Sequence, residues 1–205
     1  MDYQKWAQEV AQKIKIKELE VAKRNRGKIP YTAENGAWND CSGEKIGWWT
    51  NGFWGGMMWQ LYKATGEEIY RENAEETEEK LDAALNNYWV MDHDSGFRWL
   101  PTSVAKYRLT GDKKSENRAL MAASNLAGRF NPAGNFIVAW NGNVDPRRNG
   151  WAIIDCTMNL PLYIGRMIRQ EIRDITTSQQ SMQILQLRHL SARMALRDIL
   201  LSLTR

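Results

Sequence analysis

The sequence predicts an all-α fold made of antiparallel helical hairpins, and two observations favour that class. Apolar residues recur at helical spacing through most of the first 162 residues, without the strand–helix alternation of a βαβ protein. The pattern Tyr-x-x-Thr-Gly-acid occurs at residues 62–67 and again at residues 107–112, each time with an Ala eight residues after the Gly. The 45-residue period is about the size of a helical hairpin, so we expect stacked helix pairs in an open solenoid or a closed toroid.

Six helices are predicted, over about residues 6–24, 52–63, 67–87, 101–109, 112–129 and 151–163. Gly66 and Gly111 are predicted to end the second and fourth helices, since glycine readily adopts the left-handed conformation that often follows a helix. The residues between the first two helices are predicted to form a loop. Residues 131–150, rich in Asn, Gly and Pro, are expected to be loop or short strand.

The composition is that of a globular protein, with 43% hydrophobic and 25% charged residues, except that it includes ten Trp in 205 residues. A buried indole needs a partner for its N–H group, so this abundance calls for an explanation. It indicates either an aromatic-lined cleft of the kind that stacks on sugar rings or a Trp-rich core.

The net charge of +4 does not indicate a nucleic-acid-binding protein, because all of it lies in residues 166–205. The preceding residues hold equal numbers of basic and acidic side chains. Two His and two Cys, the latter not in a CxxC pair, argue against a zinc site and a disulfide framework. The start of the chain lacks the apolar core of a signal peptide and no run is long enough to cross a membrane, so a cytoplasmic location is the default expectation.

Two segments carry acidic residues that are candidates for chemistry. Asp92 and Asp94 lie in a predicted loop, where functional residues are common and where an acid can equally cap the next helix. Asp155 stands alone in an apolar run, residues 153–161, that should be largely buried. Because an unpaired buried charge is costly, Asp155 is expected to have a partner, to cap the helix, or to remain protonated as a general acid must.

Three segments carry a family resemblance: Trp-Thr-Asn-Gly-Phe-Trp-Gly-Gly at residues 49–56, His-Asp-Ser-Gly-Phe at 93–97, and Trp-Ala-Ile-Ile-Asp through Asn-Leu-Pro at 151–161. Together they resemble the unsaturated glucuronyl hydrolases of glycoside hydrolase family 88, over roughly residues 1–162. The resemblance implies a six-hairpin α/α barrel, here incomplete, with Asp94 and Asp155 as the catalytic pair. It also implies substrate-binding roles for Trp49, Trp54 and His93.

The resemblance further implies an enzyme that removes 4,5-unsaturated uronic acids from the non-reducing end of lyase-generated oligosaccharides, with no metal and no organic cofactor. Ordinary glycosidases protonate the leaving oxygen, whereas this family hydrates the C4=C5 double bond. Asp155 would protonate C4 and then accept a proton from the water that attacks C5, after which the hemiketal opens and the glycosidic bond breaks. Asp94 would hold the sugar and, as a nearby like charge, keep Asp155 protonated.

The likeness ends after Leu162, and the composition changes with it. Residues 166–205 contain no Trp, Tyr, Phe, Gly, Pro, Val, Asn or Lys. They could form an amphipathic Arg/Leu helix that binds a partner. However, reading the codons one base earlier can give Thr-Gly-Asp across residues 169–172 with Ala eight codons after the Gly, a third copy of the repeat. We therefore expect residues 163–205 to be an out-of-frame tail and the chain as written to be an inactive remnant, since a repeat array that loses units leaves apolar faces uncovered.

Two other interpretations remain open, and the oligomeric state is left open with them. Unsaturated rhamnogalacturonyl hydrolases share the fold and the hydration chemistry but act on pectin fragments; the sequence around Asp155 favours the glucuronyl group. A non-catalytic helical-repeat binding module would have the same hairpins without turnover. The expected partner is an unsaturated oligosaccharide, with neither a nucleic acid nor a membrane.

Overall fold

The structure is a computed structural model of the 205-residue chain, and it describes residues 2–142 and 145–162. The described residues fall into two compact units, the first formed by residues 2–91 and 97–121 and the second by residues 92–96, 122–142 and 145–162. The expected out-of-frame tail, residues 163–205, lies outside the described residues.

Most of the described chain is helical, which confirms the predicted all-α class. The helices are α1 (Tyr3–Arg24), α2 (Asn51–Thr65), α3 (Glu68–Lys80), α4 (Asp82–Leu85), α5 (Ser95–Trp99), a π-helical segment (Leu100–Val104), α6 (Ala105–Thr110), α7 (Lys113–Gly128), a 3₁₀ turn (Pro146–Arg148) and α8 (residues 156–162). Two short antiparallel hairpins interrupt them, β1 (Ala33–Glu34) with β2 (Ala37–Trp38) and β3 (Phe130–Asn131) with β4 (Phe136–Ile137). None of the described helices combines the length and the apolar character needed to span a membrane.

The two copies of the Thr-Gly repeat fold into the same turn. Gly66 and Gly111 both have positive φ, 76° and 74°, and each N–H donates to the carbonyl of the repeat Tyr at 2.8 Å. The Thr65 and Thr110 hydroxyls donate to the carbonyls four residues earlier, at 2.7 and 2.8 Å. Each hydroxyl also accepts the N–H of the acid that follows the Gly, at 3.2 Å. The sequence repeat therefore reflects a repeated helix-ending turn.

Three predicted helix boundaries are wrong. The third helix is divided at Leu81 into α3 and α4. The fourth begins at Ser95, six residues before Pro101, and continues past that proline through the π-helical segment, a rearrangement that spares the helix from breaking. The sixth begins only at Cys156: residues 151–153 have no regular secondary structure, and the carbonyl of Trp151 accepts the N–H of Ala139 at 2.8 Å instead of a helical N–H.

The core of the first unit lies where α1, α2 and α3 pack together. Its buried residues are Val21, Ala22, Trp54, Met58, Trp59, Leu61, Tyr70 and Ala74. Trp54 and Trp59 are among them, so part of the Trp content belongs to the core.

Glu78 is a buried carboxylate in the same unit, and the cations of Lys106 and Arg118 each lie 3.4 Å from it. These two positive charges make the burial of the carboxylate tolerable.

Candidate active site

The turn that precedes α5 places two of the candidate residues side by side. The Asp92 carboxylate accepts the N–H of Asp94 at 3.0 Å, and the hydroxyl of Ser95 donates to the Asp92 carbonyl at 3.1 Å. Asp92 therefore shapes the turn, while His93 and Asp94 occupy it as buried residues.

Ala139 ties the two sequence motifs of the second unit together through its backbone. Its carbonyl accepts the N–H of His93 at 3.0 Å, and its own N–H donates to the carbonyl of Trp151 at 2.8 Å. The segment preceding Asp155 is thus held next to the His93–Asp94 turn, although the two lie about sixty residues apart in the sequence. This connecting role of Ala139 is not predictable from the sequence, because it depends on backbone groups and nothing in an Ala side chain indicates it.

Three candidate side chains meet in the second unit. His93 Nε2 lies 3.5 Å from Asp94 Oδ1, and His93 Nδ1 lies 3.9 Å from Asp155 Oδ1. The side chains of His93 and Asp94 are 1% and 10% exposed, whereas that of Asp155 is 45% exposed. Asp155 Oδ1 itself is buried and makes no hydrogen bond within the described residues. The Asp155 carboxylate thus has one oxygen directed to the buried imidazole while the group remains open to a ligand.

The expectation that Asp155 lies in a largely buried run is wrong. It occupies a turn just before α8, where its main-chain carbonyl accepts the N–H of Met158 at 2.8 Å. Ile154 and Met158 beside it are exposed, and only Cys156 and Asn159 of the neighbouring residues are buried. Asp155 directly precedes α8, and its Oδ1 faces Nδ1 of His93 at 3.9 Å, which is beyond hydrogen-bond distance.

Gly96 provides the close contact between the motif that contains Asp94 and helix α8. A Cβ atom at Gly96 would lie 2.4 Å from the Cα of Asn159 and 2.5 Å from its Oδ1. Asn159 is fully buried, and its side-chain amide lies 3.5 Å from the carbonyl of Asp155. The Gly of the 93–97 segment and the Asn of the 151–161 segment therefore fit together directly.

Aromatic and basic side chains pack next to His93 in the second unit. The ring of Trp140 meets that of His93 edge-on at 6.0 Å, and Trp151 lies 6.1 Å from Trp140. The guanidinium of Arg148 lies over the Trp140 ring at 5.2 Å, a favourable cation–π distance. Trp140 and Arg148 were not predicted as site residues. The sequence offers one weak indication of them, a Trp and two Arg in the Asn-rich loop of residues 131–150.

Cys156 is buried beside the same group. Burial raises the pKa of its thiol to about 12, and the charges of Asp155 and Asp94 act in the same direction. Cys41 is likewise buried and free, and burial raises its pKa as well. A thiol with so high a pKa is protonated at neutral pH and is a poor nucleophile, so the Cys156 side chain has a packing role, beside Leu126 and Ile137.

The aromatic segment at residues 49–56 lies in the first unit. Trp49, Phe53 and Phe97 form an edge-to-face cluster with ring centroids 5.4–5.9 Å apart, and Trp49 and Phe53 remain partly exposed. Gly52 allows the close packing beneath, because a Cβ there would lie 2.4 Å from the carbonyl oxygen of Phe97. Trp54, predicted with Trp49 to bind substrate, is instead buried in the core of this unit. The structure thus groups His93, Asp94 and Asp155 in the second unit and places both Trp residues in the first.

The sequence and fold of known proteins can be compared with this arrangement. No family model matches the chain. A curated unsaturated glucuronyl hydrolase of Bacillus sp. (strain GL1) is 38% identical over 117 residues, which cover 57% of this chain and 31% of that protein. A curated unsaturated chondroitin disaccharide hydrolase of Streptococcus pneumoniae is 33% identical over 115 residues, covering 56% of this chain and 29% of that protein. The matched segment thus spans less than a third of either relative.

A solved structure supports the same relationship. The crystal structure of the unsaturated glucuronyl hydrolase responsible for the degradation of glycosaminoglycan, from Bacillus sp. GL1, has a TM-score of 0.68 and 28% identity, covering 78% of this chain and 44% of that chain. The predicted resemblance is confirmed for the N-terminal part, and the structural neighbours are α/α barrels as expected. In its N-terminal part, this chain is therefore a relative of the unsaturated glucuronyl hydrolases and shares their helical fold.

Proposed function

We propose that this chain represents a glycoside hydrolase, of the family 88 type, that releases 4,5-unsaturated uronic acid from the non-reducing end of lyase-generated oligosaccharides. The observation that carries the proposal is the meeting of Asp94 and Asp155 at one buried imidazole. One oxygen of each carboxylate lies within 4.8 Å of the other.

Closely spaced carboxylates favour a shared proton, because two like charges at this distance ionise together only at a cost. Asp94 is the more buried of the two and Asp155 the more exposed. In the proposed reaction Asp155 is the protonated partner and transfers its proton to C4 of the unsaturated sugar. Water then adds to C5 and gives one proton to the Asp155 carboxylate, which restores the acid.

The product of this addition is a hemiketal at C5. Its ring opens to a C5 ketone and leaves a hemiacetal at C1, from which the remaining saccharide departs as an alcohol. One water is consumed in total. Asp94 stays ionised, holds the sugar and favours the protonated form of Asp155.

Trp49 is the proposed stacking residue, which rests on the family resemblance of its segment and on its partial exposure. We restrict that role to Trp49, because Trp54 is in the core. The names of the relatives, glucuronyl hydrolase and chondroitin disaccharide hydrolase, favour a glucuronyl substrate over a pectin fragment and an enzyme over a binding module.

The proposal is tested with an unsaturated chondroitin disaccharide, by following loss of the ultraviolet absorbance of its conjugated enol-ether acid. Two proteins are assayed: the 205-residue chain and the protein obtained by restoring one base near the codon of Leu162. We expect absorbance loss with the frame-restored protein. Absence of turnover in both proteins would overturn the proposal. The side chains of His93, Asp94 and Asp155 are close enough together to bind a cation. The assay is therefore repeated with a chelator, which tests the expectation that no metal is involved.

A further inference from the structure

His93 is fixed in the second unit by contacts that leave it little freedom. Its backbone N–H donates to the carbonyl of Ala139 at 3.0 Å, and its ring meets the edge of Trp140 at 6.0 Å. With 1% of its side chain exposed, the imidazole has almost no surface to offer a sugar. These contacts suit a residue that acts through its neighbours rather than on the substrate.

The two ring nitrogens of His93 face different carboxylates. Nε2 lies 3.5 Å from Asp94 Oδ1 and Nδ1 lies 3.9 Å from Asp155 Oδ1, both within ion-pair range and both longer than a normal hydrogen bond. A neutral imidazole has one N–H donor and one acceptor nitrogen. It can therefore face an ionised carboxylate on one side and a protonated carboxyl group on the other.

We propose that His93 is a positioning residue for the hydration reaction: its buried imidazole fixes the separation of Asp94 and Asp155 and couples their protonation. This proposal rests on the proposed function, and it replaces direct substrate contact as the role of His93. In the working state the N–H at Nε2 points to ionised Asp94, and the lone pair at Nδ1 faces the protonated carboxyl group of Asp155. The imidazole thus helps to keep Asp94 ionised and Asp155 protonated, as a reaction with a single proton donor requires.

Other titratable or charged groups lie near the two carboxylates or near the ring that His93 contacts. The thiol of Cys156, with its pKa raised to about 12, is neutral over the working range. Arg148 lies over Trp140, the ring that His93 contacts. Asp92 accepts the N–H of Asp94 from within the same turn, and Arg129 acts on Cys156. The coupling must therefore be shown by carboxylate substitutions rather than inferred from a pH profile alone.

The coupling can be measured without turnover. The chain has two histidines, so His189→Gln leaves His93 as the single imidazole signal in ¹⁵N NMR. In this background Asp94→Asn should move the titration of His93 to lower pH, because it removes the negative charge that faces the imidazole at Nε2. Asp155→Asn should move it much less, because the carboxyl group that faces Nδ1 is protonated and uncharged in the working state. Asp145→Asn is the control: this carboxylate is in the same unit but is paired with Arg147 and, at 3.8 Å, with Arg148, so its loss should shift the titration less than Asp94→Asn does. A titration that does not move in Asp94→Asn, or that moves as far in Asp155→Asn as in Asp94→Asn, overturns the proposal.

A second measurement uses the active, frame-restored protein. His93→Gln should lower kcat roughly 10- to 100-fold, as misplaced catalytic groups do, while KM changes little. A rise in KM with unchanged kcat would instead identify a substrate contact and refute the positioning role. If the carboxylate substitutions shift the His93 titration as expected but no protein turns over the disaccharide, the coupling stands and the hydrolase proposal fails. If the disaccharide is turned over but the His93 titration fails this test, the hydrolase proposal stands and the positioning proposal fails.

Discussion

Substitution of Gly96 by Ala should disrupt the candidate site through packing alone. The new Cβ would lie 2.4 Å from the Cα and 2.5 Å from the Oδ1 of Asn159, so the backbone of α8 must shift. Overpacking of this kind typically costs about 1–3 kcal/mol. At about 1.36 kcal/mol per factor of ten, this corresponds to roughly a 5- to 150-fold increase in local opening.

Native-state hydrogen exchange measures that opening at individual amides. The reporters are the amide of Met158, which donates to the Asp155 carbonyl, and the amide of His93, which donates to Ala139. Gly128→Ala is the matched control, because it lies in the same unit and a Cβ there meets nothing within 4 Å. Unchanged protection of Met158 and His93 in Gly96→Ala, or an equal loss in Gly128→Ala, would refute the proposed contact.

Four further outcomes are expected. Asp155→Asn in the frame-restored protein should lower kcat by about 10²–10⁴-fold with little change in KM, and initial rates above a tenth of the wild-type value would remove it as the general acid. Trp49→Ala should raise KM roughly 2- to 13-fold through loss of about 0.5–1.5 kcal/mol of stacking, whereas Trp48→Ala, a similarly exposed neighbour, should not. Folding raises the pKa of the Cys156 thiol from 9.0 to about 12, so this thiol ionises in the unfolded chain at a lower pH than in the folded protein. Denaturant titrations should therefore show the free energy of unfolding falling between pH 9 and 12, and falling less in Cys156→Ala. Restoring one base near the codon of Leu162 should open a longer frame containing Gly and aromatic residues, and DNA sequencing that finds an immediate stop codon would contradict the frameshift.

Local signals in the sequence predict three of the helices and two of the helix-ending turns. Helical periodicity located α1, α2 and α7 to within a few residues, and the Thr-Gly repeat predicted two turns that proved alike. Both depend on contacts within about four residues. The hairpin β1–β2 was missed although Asn35 and Gly36, both at positive φ, are a typical two-residue hairpin turn; its strands are too short to show alternation.

The assembly of the site depended on contacts that a single sequence does not show. Asp94 and Asp155 could be named from the resemblance, but Ala139 positions both segments through backbone groups that any residue carries. The exposure of Asp155 differs from the prediction because residues 153–161 do not form one buried helix: α8 begins at residue 156, and Asp155 lies in the turn before it. Trp54 was predicted to bind substrate but is buried in the core, because an aromatic residue in such a segment can serve either purpose.

The most direct test of hydration chemistry compares two disaccharides that differ only in the C4=C5 double bond, each incubated with the frame-restored protein. Protonation at C4 by Asp155 requires that double bond, whereas a glycosidase that protonates the leaving oxygen does not. We expect the unsaturated disaccharide to lose its ultraviolet absorbance and to release the second sugar, and the saturated one to remain intact. Cleavage of the saturated disaccharide at a comparable rate, or release of sugar from the unsaturated one without loss of absorbance, would contradict the proposed reaction.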